Sequence, residues 1–131
     1  VVGKAIPATK AQKDRMDTIA NYCGCLPCIL ENTLNRHTTI QHVTECRKRL
    51  GHDATYGACT WHHFGQLPRM HGPSLAGGMK PYRERYGPER LLVELQDYVL
   101  ELFAEDPWPE YDMPVSVGRK IQAKWHTMMA D

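Results

Sequence analysis

Cys25-Leu26-Pro27-Cys28 and, after 30 intervening residues, Cys59-Thr60-Trp61-His62-His63 decide how this chain is read. Each stretch carries two metal-binding donors at positions i and i+3. A two-residue gap lets both side chains of a pair turn toward one ion across a tight turn. Cys25, Cys28, Cys59 and His62 then complete a closed tetrahedron suited to Zn2+. A single CxxC is as easily a pair of buried free thiols, because Cys is among the most buried residue types. Two matched pairs favour the metal. Cys23 and Cys46 remain over: Cys23 can replace Cys25 as a ligand at this stage, and Cys46 reads as a plain thiol.

The composition around these pairs sets bounds. The chain has 131 residues, 42% hydrophobic and 24% charged, which suits one domain with a modest core rather than a disordered polymer. No run of about 18 apolar residues is present, so a membrane span is excluded. Residues 1–7 lack the apolar run of a secretory leader. Five Cys are an odd number, and with seven His beside them they argue for metal ligands in a reducing compartment rather than a disulfide scaffold. Residues 1–50 carry eight Lys/Arg against four Asp/Glu, and residues 51–131 carry eight against eleven. A basic front half beside an acidic rear half is compatible with phosphate contact by one face, and equally with a solvated surface.

Outward from the pairs, Thr9 caps a predicted helix over residues 10–21 whose apolar stripe is narrow and whose Lys10, Lys13 and Arg15 point outward. Residues 38–43 are β-branched and predict a strand. Residues 47–53 form a basic loop, and 54–59 a weaker second strand that Gly57 disfavours. The two strands can pair as a long hairpin. A turn or helix follows from Cys59, then an irregular Gly- and Pro-rich loop over 65–80. The clearest helix begins at Gly87-Pro88-Glu89. Leu91, Leu92, Leu95, Tyr98, Val99, Leu102 and Phe103 form its apolar stripe, expected to cover the metal site. Residues 117–129 form a last amphipathic stretch, with Val117, Ile121, Trp125 and Met128 on one face, expected to pack on its own domain. Three regions result: a basic lead and helix (1–22), a core (23–105) and a Pro-rich linker with tail (106–131).

His63 follows His62 directly, so its side chain faces a different site. His42 ends the predicted strand 21 residues earlier. A strand His facing a helix-start His suits metal-assisted phosphodiester hydrolysis, in which one imidazole deprotonates water and the other holds a divalent cation. Each alone reads as a structural hydrogen-bonder.

Together these residues resemble the HNH, or ββα-metal, nuclease superfamily, and within it the RecA-dependent recombination-enhancement nucleases of bacteriophage. The resemblance rests on Cys25-Leu26-Pro27-Cys28-Ile29, Ile40-Gln41-His42-Val43, Gly51-His52, Cys59-Thr60-Trp61-His62-His63 and Arg85-Tyr86-Gly87 with its Leu-rich helix. It implies an α+β fold, a zinc-stabilised ββα-metal (HNH) core with flanking helices. It implies His42 as general base, His63 as catalytic metal ligand, and His52 as the residue that holds the loop and orients the base. Cys25, Cys28, Cys59 and His62 match the structural zinc ligands. Mg2+ or Mn2+ would be the working cation, DNA the substrate, a RecA filament the partner, and the cytoplasm of a bacterial host the location of a phage- or prophage-encoded protein. Lys10, Lys13, Arg15, Arg47, Lys48 and Arg49 would contact DNA phosphates without reading sequence.

One position departs from the pattern. A His or Asp usually precedes the base as second metal ligand, and here Gln41 stands there. A neutral amide oxygen binds Mg2+ more weakly than a carboxylate, so Glu45 or His71 enters as a possible helper. The competing reading, a zinc-stabilised DNA- or protein-binding module without catalysis, rests on the same Gln41. A third reading, helices that only mediate assembly, rests on the amphipathic tail.

Overall fold

The computed structural model describes residues 6–45 and 48–131. Cys46 and Arg47, read above as a plain thiol and a phosphate-binding cation, lie outside the described residues. The fold is α+β. Helix α1 (Lys10–Thr18) opens with a reciprocal cap in which the Thr9 hydroxyl accepts from the Gln12 amide and the Gln12 side chain accepts from the Thr9 amide. The predicted single helix over 10–21 gives way to a π-helical turn at Ile19–Cys23. That turn ends at Gly24, whose φ of 75° redirects the chain so that Cys23 and Cys25 enter different parts of the interior.

Helix α2 (Leu26–Leu30) follows where a plain thiol-bearing turn was expected. Its residues are all buried. Strand β1 (Thr39–His42) pairs antiparallel with β4 (Thr55–Ala58), in the register Thr39↔Ala58 to His42↔Thr55. Between them, β2 (Thr44–Glu45) pairs with β3 (Lys48–Arg49), so the predicted basic loop is partly a second small ladder. Helix α3 (Thr60–Phe64) starts immediately after β4. Helix α4 (Met79–Tyr86) rises from the end of the predicted irregular loop, and α5 (Glu89–Glu105) and α6 (Val115–Ala130) complete the chain. Among the described residues, no helix is long and apolar enough to cross a membrane.

The stripe on α5 buries Leu92, Leu95 and Val99, with Leu91, Tyr98, Leu102 and Phe103 packed at the margin. It lies against β4 and α6 instead of covering the cysteines, which form a separate cluster flanked by Trp61 and Met70. The reason is a polar tie inside the stripe: Gln96 accepts the Gly57 amide hydrogen at 3.0 Å and draws α5 onto the hairpin. Helix α6 folds back as expected, burying Ile121 and Trp125. Trp125 donates to the Tyr86 carbonyl (3.0 Å), and Gln122 donates to the Ile29 carbonyl (2.8 Å).

Gly57, which weakened the strand prediction, is required by packing. A Cβ there would lie 2.4 Å from the Gly24 carbonyl oxygen and 2.8 Å from Thr38 Cγ2. The missing side chain lets β4 press directly on the π-helical turn. Gly57→Ala should therefore cost about 3 kcal/mol in urea unfolding, the upper end of the usual overpacking penalty. An unchanged midpoint would contradict this close approach.

Candidate metal centre and active site

Both cysteine pairs sit at helix starts. Cys25 is the N-cap of α2 and its sulfur accepts from the Cys28 amide at 3.4 Å; Cys59 is the N-cap of α3 and accepts from the His62 amide at 3.5 Å. The spacing read from sequence is thus an N-cap residue and the third residue of its helix, which one turn brings together. Cys25, Cys28, Cys59 and His62 are all buried, with ligand atoms within 4.8 Å of one another. Cys28 Sγ lies 3.8 Å from Cys59 Sγ, and the three sulfurs lie 3.2–3.4 Å from His62 Nδ1. A Zn2+ tetrahedron with ordinary bond lengths has edges of about 3.8 Å between sulfurs and about 3.5 Å between sulfur and nitrogen. The donor set therefore fits zinc.

The surroundings support a ligand role for Nδ1. His62 Nε2 donates to the His71 carbonyl at 2.7 Å, which in the neutral ring leaves Nδ1 without a proton and aimed at the sulfurs. Tyr86 places its hydroxyl 3.2 Å from the same Nε2 and donates to the same carbonyl. Asn35 donates to Cys28 Sγ. Burial, reinforced by the neighbouring thiols, pushes the Cys25 thiol up, whereas hydrogen bonds from Cys25 and Cys28 push Cys59 strongly down. Burial alone would lower His62, but hydrogen bonds to Cys28 and Cys59 outweigh it and carry it up to about 10. Three sulfurs and one imidazole nitrogen gathered in a single buried place suit a divalent cation. Cys23 stands outside this set, its thiol pushed up to about 12 by burial. His71 contributes its backbone carbonyl and not its ring.

The second group of residues lies on β1, the loop before β4, and α3. His42 Nε2 is 3.1 Å from His52 Nδ1, and His52 Nε2 is 2.8 Å from the Ile6 carbonyl oxygen. His63 Nδ1 is 2.7 Å from Thr39 Oγ1, which donates to the Ala58 carbonyl at 2.7 Å. A hydroxyl has one hydrogen, and Thr39 gives it to Ala58. His63 must then donate from Nδ1, so Nε2 carries the free lone pair. Burial lowers the pKa of both imidazoles; Arg49 and His52 lower His42 further, and His42 lowers His63 further. Phe64 stacks on His63 with ring centroids 3.8 Å apart.

Gln41 donates its amide hydrogen to Glu89 Oε2 at 3.2 Å. A carboxylate only accepts, so the Gln41 oxygen faces away from Glu89. Glu89 is buried and also receives the Tyr56 hydroxyl at 2.8 Å. Glu45 is engaged elsewhere, in a two-point ion pair with Arg90 that lowers its pKa. Of the expected phosphate-binding cations, Lys13, Lys48 and Arg49 are exposed, and Lys10 is exposed and paired with Asp14 at 3.0 Å. Arg15 corrects the expectation of an outward cation. It donates to Thr55 Oγ1 (3.1 Å) and the Thr55 carbonyl (2.8 Å), and it pairs with Asp97 at 2.6 Å, so its guanidinium ties α1 to β4 and α5. Thr39, Glu89 and the Ile6 carbonyl were missed from sequence, and Tyr86 was read only as part of the Arg85-Tyr86-Gly87 match. Of the three missed, Glu89 carried a signal, as an acid at a helix start.

Fold and centre together define a small α+β domain with a buried three-Cys, one-His clamp and a separate rim of paired imidazoles. A family model described as recombination enhancement, RecA-dependent nuclease matches residues 8–101, and the chain belongs to that family. No curated protein and no solved structure matches the chain. Membership indicates a nuclease, an enzyme acting on DNA in a RecA-dependent way.

Metal analysis of the purified chain should find one equivalent of zinc. Cys59→Ser and His62→Ala should each lose it and lose cooperative thermal unfolding, since structural zinc supplies on the order of 10 kcal/mol of folding free energy in small domains. Full retention of the melting transition in either variant would remove the clamp from the account.

Proposed function

We propose that the chain is a metal-dependent DNA endonuclease of HNH type, with His42 as general base and His63 as a ligand of the working cation. The observation that carries this reading is the pair of half-buried imidazoles at β1 and α3. Each has one nitrogen held by a hydrogen bond, His42 Nε2 by His52 and His63 Nδ1 by Thr39, while the opposite nitrogen has no protein partner among the described residues. A neutral ring oriented this way can take a proton from water through its unbonded nitrogen, and its partner can hold a cation through its own.

Burial and the nearby Arg49 charge keep His42 neutral near pH 7, the form a base needs. His63 Nε2 and the Gln41 oxygen would hold Mg2+ or Mn2+, which when bound stabilises the charge developing on the phosphate and the leaving oxygen. Glu89 supports that role by fixing which end of the Gln41 amide is presented. Exposed Lys13, Lys48 and Arg49 would meet the DNA backbone without reading bases, so targeting falls to the RecA filament. The bacterial cytoplasm follows from that partner.

The test is cleavage of duplex DNA by the purified chain with Mg2+ or Mn2+, with and without RecA filaments on a homologous single strand. Cleavage should need both the cation and the filament. His42→Ala should lower the rate by at least about 100-fold, the low end for a general base, and His63→Ala should act similarly. Unaltered cleavage in both variants would overturn the assignment. Bound zinc with no cation-dependent cleavage under any condition would favour the non-catalytic zinc module, the reading that Gln41 invites.

A further inference from the structure

The hydrogen bond from His42 to His52 does not end there. His52 Nε2 lies 2.8 Å from the backbone carbonyl of Ile6, a residue before α1 and 46 positions away in sequence. A carbonyl oxygen only accepts, so His52 must carry its proton on Nε2. In the neutral ring, Nδ1 of His52 is then an acceptor. Its 3.1 Å partner, His42 Nε2, must donate. The remaining nitrogen of His42, Nδ1, is left with the free lone pair. Three groups in series thus settle one proton position: Ile6 carbonyl, His52, His42.

We propose that residues 6–9, just before α1, form a tautomer lock, the Ile6 carbonyl setting through His52 which nitrogen of His42 is basic. The proposal rests on the reading of His42 as general base and deepens it: Ile6 and His52 are positioning groups, and neither takes the proton of the reaction. Neighbouring contacts hold the segment in place. The capping residue Thr9 is bonded to Gln12, and Gln12 Nε2 donates to Asp53 Oδ2 at 3.1 Å, one residue beyond His52. The loop end is held by Thr55 Oγ1, which donates to the His52 carbonyl at 3.0 Å. Yet Ile6 itself is 81% exposed, so no apolar burial secures the lock. Among the described residues, its grip is one hydrogen bond plus the helix cap, which leaves residues 6–9 displaceable by whatever binds beside them.

Without the Ile6 carbonyl, His52 Nε2 faces water and the pair can run in the opposite sense. His52 Nδ1 would then donate to His42 Nε2, and the His42 proton would sit on Nδ1, where no base is left. The experiment compares the full chain, a deletion of residues 1–7, His52→Leu and His52→Asn. Thr9 remains in the deletion, so α1 keeps its cap, and circular dichroism checks that the fold is intact. Histidine ring 15N shifts report the tautomer directly. The full chain should show His42 and His52 both protonated at Nε2. The deletion should give a mixed signature at His42, with kcat for DNA cleavage reduced about threefold to tenfold, far less than loss of the base itself, and KM unchanged. His52→Leu should fall further. His52→Asn, whose side-chain oxygen can accept from His42, should recover part of that loss.

An unchanged His42 signature in the deletion overturns the lock, as does a raised KM at constant kcat, which marks a lost DNA contact instead. If the unaltered chain cleaves nothing while the deletion still shifts the His42 signature, the lock stands and the nuclease reading fails.

Discussion

Three thiols and an imidazole converge in a buried pocket, and the rest of the fold depends on what compensates them. Sulfur-to-nitrogen separations of 3.2–3.4 Å leave no room for water between the donors. With zinc, the same atoms become a cross-link between the start of α2 and the start of α3. Those starts are 34 residues apart in sequence, from Cys25 to Cys59, and everything between them, including the β1–β4 hairpin, is a loop closed by the clamp.

That closure carries directly into the rim of imidazoles. His62 and His63 are neighbours on one short helix, so fixing His62 in the clamp fixes the direction of His63. Thr39 adds a second constraint, because its hydroxyl bonds both His63 and the Ala58 carbonyl at the end of β4. The strand that bears His42 and the helix that bears His63 therefore share a hinge point. Gly57 and Gln96 hold the opposite side of the hairpin against the π-helical turn and α5. The proposed reactive groups are thus positioned by the clamp at one end and by the main apolar core at the other, without belonging to either.

The sequence made some of this legible and concealed the rest for physical reasons. The clamp could be read because its ligands are local pairs, and a spacing of three is itself the geometry of a helix N-terminus. Helix α5 could be read because seven apolar residues recur at helical steps. The π-helical turn could not, since Ile19–Cys23 has no local signal that separates it from an ordinary helix. Arg15 read as a free cation because its partner Asp97 lies 82 residues away, and charge patterns in sequence see only neighbours. Gly57 argued against a strand on propensity, and the close approach of Gly24 overrode it. Thr39 and the Ile6 carbonyl act through contacts that no residue-type pattern announces, and the second is a backbone atom with no identity at all.

Stability and reactivity make opposite demands, and this chain separates them by a single residue. The clamp needs burial, because a low-dielectric pocket strengthens every ligand contact once the ion is in place. A base needs the reverse: enough burial to stay neutral, enough exposure to meet water and a phosphate. His62 is wholly buried, whereas His63 beside it and His42 across the hairpin are partly exposed. Stepping one residue along α3 turns a side chain by about 100°, which moves the imidazole from the dry side of the helix to the wet one. On the proposed reading, the doubled His places two chemistries side by side on five helical residues, one inert and one available to substrate.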